Sequence, residues 1–136
     1  MLTAVIVGVG IDVCDLDRMK RALARPTGTR FAERVFTAAE RAYCEARKRG
    51  RVASYAARFA AKEAALKALG TGWSDGIAWH DVEVVRGESG PPTLALHGRA
   101  AEVARERGVG RLLVALSHGD VSAVASVIAE SDRRGP

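Results

Sequence analysis

Cysteine is scarce, aromatic surface is scarce, and long apolar runs are missing. Each shortage closes off a class of function. Only two cysteines, Cys14 and Cys44, occur in 136 residues. Neither sits in a CxxC or Cys/His cluster, so neither a zinc site nor a disulfide framework is expected. Two plain thiols point to a reducing, cytoplasmic setting. Aromatic residues make up 5% of the chain, too few for the stacking platforms that hold single-stranded nucleic acid. No stretch approaches the ~18 apolar residues of a membrane span. The start, MLTAVIVGVGIDV, is apolar but has no basic leader, and Asp12 ends its run early, so neither a signal peptide nor an anchor is expected. The GxxxxGK[ST] phosphate loop is absent. GVGIDVC lacks the third glycine of a dinucleotide fingerprint and sets its glycines inside a strand. The GxSxG nucleophile elbow is absent as well.

What remains is an ordinary globular composition, 48% hydrophobic and 27% charged, with a net charge of +5 and a pI near 9.8. That charge favours an acidic partner: nucleic acid, a phosphorylated cofactor or an acidic protein. No helix-turn-helix or RNA-recognition signature supports the first of these. No repeat, linker or low-complexity tract divides the chain. We expect one domain over residues 1–130 and a frayed tail over 131–136.

The hydrophobic pattern predicts an α+β fold. Leu2 to Val13 reads as a strand buried on both faces. Asp15 or Asp17 caps a helix running to about Ala24, and Pro26 and Gly28 mark a loop. FAERVF, Phe31 to Phe36, is a short helical turn. Thr37 to Glu40 is a capping box that opens a helix to about Arg49. A central helix runs from about Val52 to Leu69, and Trp73 to His80 is a loop. Strands follow at Val82–Arg86 and Thr93–Leu96, then a helix over Arg99–Arg107. Arg111–Leu116 and Val121–Ile128 form a hairpin around Ser117-His118-Gly119-Asp120. Helices fill the first half and strands the second, and the first strand returns to pair with them.

The chain is organised around Arg58 to Gly72, RFAAKEAALKALGTG. Alanine and leucine favour a helix, and Gly70 and Gly72 end it. At about 100° per residue, Lys62, Leu66, Phe59, Glu63 and Lys67 span roughly 140° of its circumference, with Arg58 just beyond Lys62. Alanines fill most of the opposite face. The plain reading is a solvated face with a Glu63–Lys67 pair at i,i+4. The sharper one is a polyanion site, because glycine backbone admits a ligand closely and lysines suit phosphate. Asp12 is a carboxylate in an apolar run and needs a partner. Asp12 and Glu63 could share Mg²⁺, which takes one or two protein carboxylates and fills its octahedron with phosphate oxygens and water. Asp12 could equally cap a turn.

Six stretches taken together resemble the holo-acyl carrier protein synthases, the small 4′-phosphopantetheinyl transferases. They are GIDVCDLDR (10–18), FAERVFTAAE (31–40), RFAAKEAALKALGTG (58–72), WHDVEV (79–84), GPP (90–92) and ALSH (115–118), in order across nearly the whole chain. The resemblance implies a transferase that moves 4′-phosphopantetheine from coenzyme A to a serine of an apo acyl carrier protein and releases adenosine 3′,5′-bisphosphate. It implies Mg²⁺ on Asp12 and Glu63. It implies a catalytic or phosphate-binding role for Lys67, and coenzyme A contacts from Lys62, Arg58, Gly70, Thr71, Gly72, Pro91, Ser117 and His118. Arg18 is implied as a contact for the acidic carrier, and a homotrimer with sites between subunits as the assembly. Fatty acid biosynthesis is the implied setting. Carriers of polyketide or peptide synthetases are the alternative substrates, and a basic nucleic-acid module is the distant rival. The segment Thr71 to Trp79 includes Trp73, to which the resemblance assigns nothing.

Overall fold

The computed structural model describes residues 4–131. Strand β1 (Ile6–Asp15) leads into helix α1 (Leu16–Ala24). Asp15 makes that junction by accepting the Asp17 N–H at 3.1 Å, a side-chain N-cap. Helix α2 (Gly28–Val35) follows, three residues longer at its start than expected. Gly28 belongs to the helix, with its α-carbon pressed on the Leu23 carbonyl, where an added Cβ would lie at 2.0 Å. Helix α3 (Ala38–Ala46) opens on the expected capping box. The Glu40 N–H reaches Thr37 Oγ1 at 3.2 Å, and the Thr37 N–H reaches Glu40 Oε1 at 2.8 Å. It stops short of Arg49 because Gly50 is the N-cap of the next helix, α4 (Arg51–Leu69).

After α4 come one-turn 3-10 helices at Trp73–Asp75 and Trp79–Asp81, inside a segment expected to be a loop. Strands β2 (Val82–Val85) and β3 (Thr93–Leu96) form an antiparallel ribbon. Helix α5 (Gly98–Glu106) leads to the hairpin of β4 (Val109–His118) and β5 (Ser122–Ser131). The three long strands are antiparallel in the order β1-β5-β4. The α+β class therefore stands, with β1 paired to the last strand. Ser131, expected in a tail, is the end of β5 opposite Val109. Residues 132–136 of that tail and Leu2 and Thr3 of the first strand lie outside the described residues.

Small residues bring α4 onto the sheet. Ala60, Ala61, Ala64, Ala65 and Ala68 are buried, as are Ala123, Ala125, Val127 and Ala129 of β5. A Cβ at Gly10 would stand 1.9 Å from the Ala64 carbonyl oxygen, and one at Gly8 1.8 Å from that of Ala68. The contact is backbone on side-chain-free backbone, closer than any larger residue permits. Along a strand alternate residues share a face. The face that carries Gly8 and Gly10 to the helix therefore also carries Asp12 and Cys14.

The other face of β1 corrects an expectation. Val9, Ile11 and Val13 are 64%, 59% and 61% exposed, so the strand is buried on one face of this chain and bare on the other. Among the described residues no helix is long and apolar enough to cross a membrane. Both cysteines are free and buried.

Candidate active site

The glycine contact sets where Asp12 meets α4. Gly8 packs at Ala68 and Gly10 at Ala64, so the strand advances as the helix recedes by one turn per two strand residues. Asp12, two residues on along the same face, meets the helix at Lys67, and Glu63 lies one turn before Lys67. Lys67 Nζ donates to Asp12 Oδ1 at 3.0 Å and to the Ile11 carbonyl at 2.9 Å. Lys67 thus pairs with Asp12 on the strand instead of with Glu63 on its own helix. Glu63 is half-buried and accepts from Trp73 Nε1 at 3.4 Å.

Lys62 departs from its expected place among the phosphate contacts. It is fully buried and ion-paired with the equally buried Glu40, Nζ to Oε1 at 2.9 Å. Its ammonium also donates to the Trp79 carbonyl at 3.1 Å and to that of Val82. Glu40 Oε2 accepts the Val84 N–H at 2.7 Å. Burial pushes the Lys62 ammonium below its ordinary pKa, against the opposing pull of Glu40. Successive helix residues point about 100° apart, so Lys62 faces the β2–β3 ribbon while Glu63 turns away from it toward Trp73. A charge this enclosed anchors an element; it does not meet a ligand from solvent.

Ser117 and His118 lie elsewhere. Asp12 and Leu116 both pair with Ala125, on opposite sides of β5. The Ser117-His118 end is thus separated from the Asp12 edge by two strand spacings, about 10 Å. There, Ser117 and His118 line one hollow with Arg58, Arg47, Arg86 and Tyr43. Arg58 is 3% exposed. Its guanidinium lies 4.1 Å from the Tyr43 ring centroid, and its Nε is buried without a hydrogen-bond partner. Buried unpaired donors are costly, and three arginines beside a serine suit a phosphate. Arg47 and Arg86 were missed by sequence reasoning, since neither sits in a motif. Pro91 lies in the exposed turn between β2 and β3.

Gly70 ends α4 in the left-handed conformation, φ 77°. Arg107 Nη1 caps the helix's last carbonyls, bonding Leu69 O at 2.8 Å and Gly70 O at 3.0 Å. The Gly70-Thr71-Gly72 loop is thus at the electronegative end of the helix dipole, offset by Arg107. Thr71 Oγ1 is buried without a partner. Arg18 lies on the exposed side of α1 and lines a cavity with Arg21, Arg25, Phe31 and Phe59.

Asp12 and Glu63 suit a hard divalent cation. They are two carboxylates, each still partly exposed, and each is bonded by a single nitrogen donor that leaves other lone pairs open. No group of three or more His, Cys, Asp or Glu side chains gathers among the described residues. The set therefore fits Mg²⁺, which draws its other ligands from phosphate and water, and does not fit a closed protein cage.

Known proteins resemble this chain in sequence and in fold. The model of the 4′-phosphopantetheinyl transferase superfamily matches residues 8–122. A holo-[acyl-carrier-protein] synthase from Anaeromyxobacter dehalogenans strain 2CP-C is 53% identical over 127 residues, covering 92% of this chain and 96% of that one. One from Koribacter versatilis is 48% identical over 125 residues, covering 92% and 98%. The crystal structure of the Helicobacter pylori holo-[acyl-carrier-protein] synthase in complex with coenzyme A superposes with a TM-score of 0.77 at 26% identity, covering 89% and 98%.

Proposed function

The chain belongs to the 4′-phosphopantetheinyl transferase superfamily, and we propose that its Asp12 and Glu63 hold Mg²⁺ against the pyrophosphate of coenzyme A. It is a transferase with the activity of a holo-acyl-carrier-protein synthase, which makes coenzyme A and an acyl carrier protein its substrates. The serine hydroxyl of the carrier attacks the β-phosphorus, and adenosine 3′,5′-bisphosphate leaves. Phosphoryl transfer asks little covalent work of a protein and much positioning and charge neutralisation. Asp12 and Glu63 would hold Mg²⁺, which would supply neutralisation of the pyrophosphate charge and polarisation of phosphorus. Lys67 serves the same charge: its side chain is about half exposed, so its ammonium can exchange Asp12 for a phosphate. Arg58, Arg47 and Arg86, with Ser117 and His118, suit the bisphosphate end of the nucleotide.

The observation that carries this reading is the Asp12–Lys67 pair beside the glycine-bared contact of β1 with α4, with Glu63 one turn before Lys67 on the same helix. The phosphate hollow on the opposite edge supports a site built between copies of the chain. The bare face of β1, Val9, Ile11 and Val13, is apolar surface of the kind that marks an interface. A homotrimer would cover it and bring one copy's Ser117–His118 edge to the next copy's Asp12 edge. The basic side of α1, with Arg18, suits docking of an acidic carrier, where charge raises the on-rate. Two buried reduced thiols accord with the cytoplasm, and the reaction with fatty acid biosynthesis.

The test is conversion of apo to holo acyl carrier protein, followed by mass, over a Mg²⁺ series. Glu63→Gln should slow it at least about 100-fold, the scale of losing one electrostatic stabiliser of the transition state. An unchanged rate overturns the metal-ligand role.

A further inference from the structure

Among the described residues, the side chain that hydrogen-bonds Glu63 is one to which nothing assigns a task. Trp73 follows the Gly70-Thr71-Gly72 loop and begins a 3-10 turn. Its Nε1–H points at Glu63 Oε1, 3.4 Å away, at the long end of the hydrogen-bond range. Its ring is held from behind. Trp79 lies against it with centroids 3.8 Å apart, and Phe59 stacks on Trp79 at 5.2 Å and 27°. Phe59 is one turn below Glu63 on α4, so the aromatic row begins and ends on the same helix. Trp79 is itself fixed, because its carbonyl accepts from the buried Lys62. The indole is therefore placed by packing on rigid elements and not by the loop that carries it.

We infer that Trp73 is a positioning residue for the metal site: its indole N–H holds one oxygen of Glu63 and leaves the other for the cation. This rests on the reading of Asp12 and Glu63 as ligands of Mg²⁺. Indole suits the task because it donates and cannot accept, so it cannot compete for the metal. A free glutamate must give up rotamer freedom to bind a cation, and the Trp73 contact removes part of that cost beforehand. Partners behind a metal ligand contribute about 10- to 100-fold in metal affinity; one long hydrogen bond belongs at the lower end.

Trp73 and Trp79 are the chain's only two tryptophans, which makes the inference measurable without turnover. Mn²⁺ binding is followed by electron paramagnetic resonance of the free ion on wild type, Trp73→Phe and Glu63→Gln. Phenylalanine keeps the ring against Trp79 and deletes only the donor. Trp73→Phe is expected to weaken Mn²⁺ about 10-fold, and to raise the half-saturating Mg²⁺ in the transfer assay by the same factor with KM for the carrier unchanged. In the wild-type chain, the Trp73 indole N–H resonance should shift when Mg²⁺ saturates the protein. That measurement stands even if the variant folds poorly. Equal Mn²⁺ affinity in Trp73→Phe and wild type, or an indole resonance indifferent to Mg²⁺ that demonstrably binds, overturns the positioning role and leaves the metal site intact. Wild-type Mn²⁺ affinity in Glu63→Gln overturns the metal site, and this inference with it.

Discussion

Replacing Lys62 by methionine separates a structural lysine from a phosphate-binding one. Lys62 Nζ has three partners, Glu40 Oε1 at 2.9 Å and the carbonyls of Trp79 and Val82, and the side chain is closed to solvent. Methionine fills the same channel without charge. It leaves the Glu40 carboxylate buried with only the N–H groups of Thr37 and Val84. Removing one member of a buried ion pair costs about 3–5 kcal/mol, a large share of the ~5–15 kcal/mol that holds a domain together. With a urea slope of about 2 kcal/mol per M, the unfolding midpoint should fall by roughly 2 M. The loss should appear in stability first. Enzyme that remains folded should keep its KM for coenzyme A, because Lys62 faces the β2–β3 ribbon and not the Asp12 edge. A Glu40→Gln/Lys62→Met double variant removes both charges and should recover part of the loss. If Lys62→Met unfolds within about 1 kcal/mol of wild type and raises KM for coenzyme A tenfold, the ammonium serves the phosphate and the argument fails.

Other outcomes follow from the same geometry. Gly10→Ala drives a Cβ into the Ala64 carbonyl, where backbone cannot yield. It should cost about 3 kcal/mol or more in a thermal melt, whereas Gly119→Ala, with nothing within 4 Å, should stay within about 0.5 kcal/mol. Burial pushes the Cys14 thiol from an ordinary 9.0 up to about 11. At pH 8 its thiolate is then about 100-fold scarcer than in the unfolded chain, and iodoacetamide should label it slower by at least that factor. Because the folded thiol holds its proton more tightly, the stability it lends is complete below pH 9 and is lost as pH rises through about 11. Ile11→Lys puts a charge on the bare face of β1. If the proposed homotrimer forms on that face, the variant should sediment as a monomer and lose transfer; a trimer that survives it refutes the assignment of that face.

The aromatic row also gives the loop after α4 a physical basis. Gly70 needs its positive φ to turn the chain off α4, and Arg107 quiets the carbonyls left there. Trp73 then returns the chain to the helix at Glu63. A loop of this kind is usually mobile; here its first large side chain is packed on Trp79, which in turn stacks on Phe59.

Much of the fold was legible because its signals are local. The Thr37–Glu40 box, the alanine run of α4, the stop at Gly70 and the β4–β5 hairpin depend on neighbours within a few residues, and period and capping report those directly. Asp12 and Glu63 were legible as candidates from an odd carboxylate in an apolar strand and a carboxylate among lysines. The direction of each helical side chain was not. A 140° arc contains Lys62, Glu63 and Lys67 together, and only the packed structure shows that one end of the arc is sealed against Glu40 while the other meets Asp12. Glu40 lies 22 positions before Lys62, and no periodicity links them. Arg47 and Arg86 were invisible for the same reason: they join Arg58 and His118 only when β2, α3 and β4 converge. Nor does hydrophobicity say whether a Val/Ile strand is covered by its own chain or by another. The sequence by itself determined the elements and the chemistry available at the β1–α4 contact. Tertiary structure decided which lysine is free to use it, because a buried charge must be paired and only the fold chooses the partner.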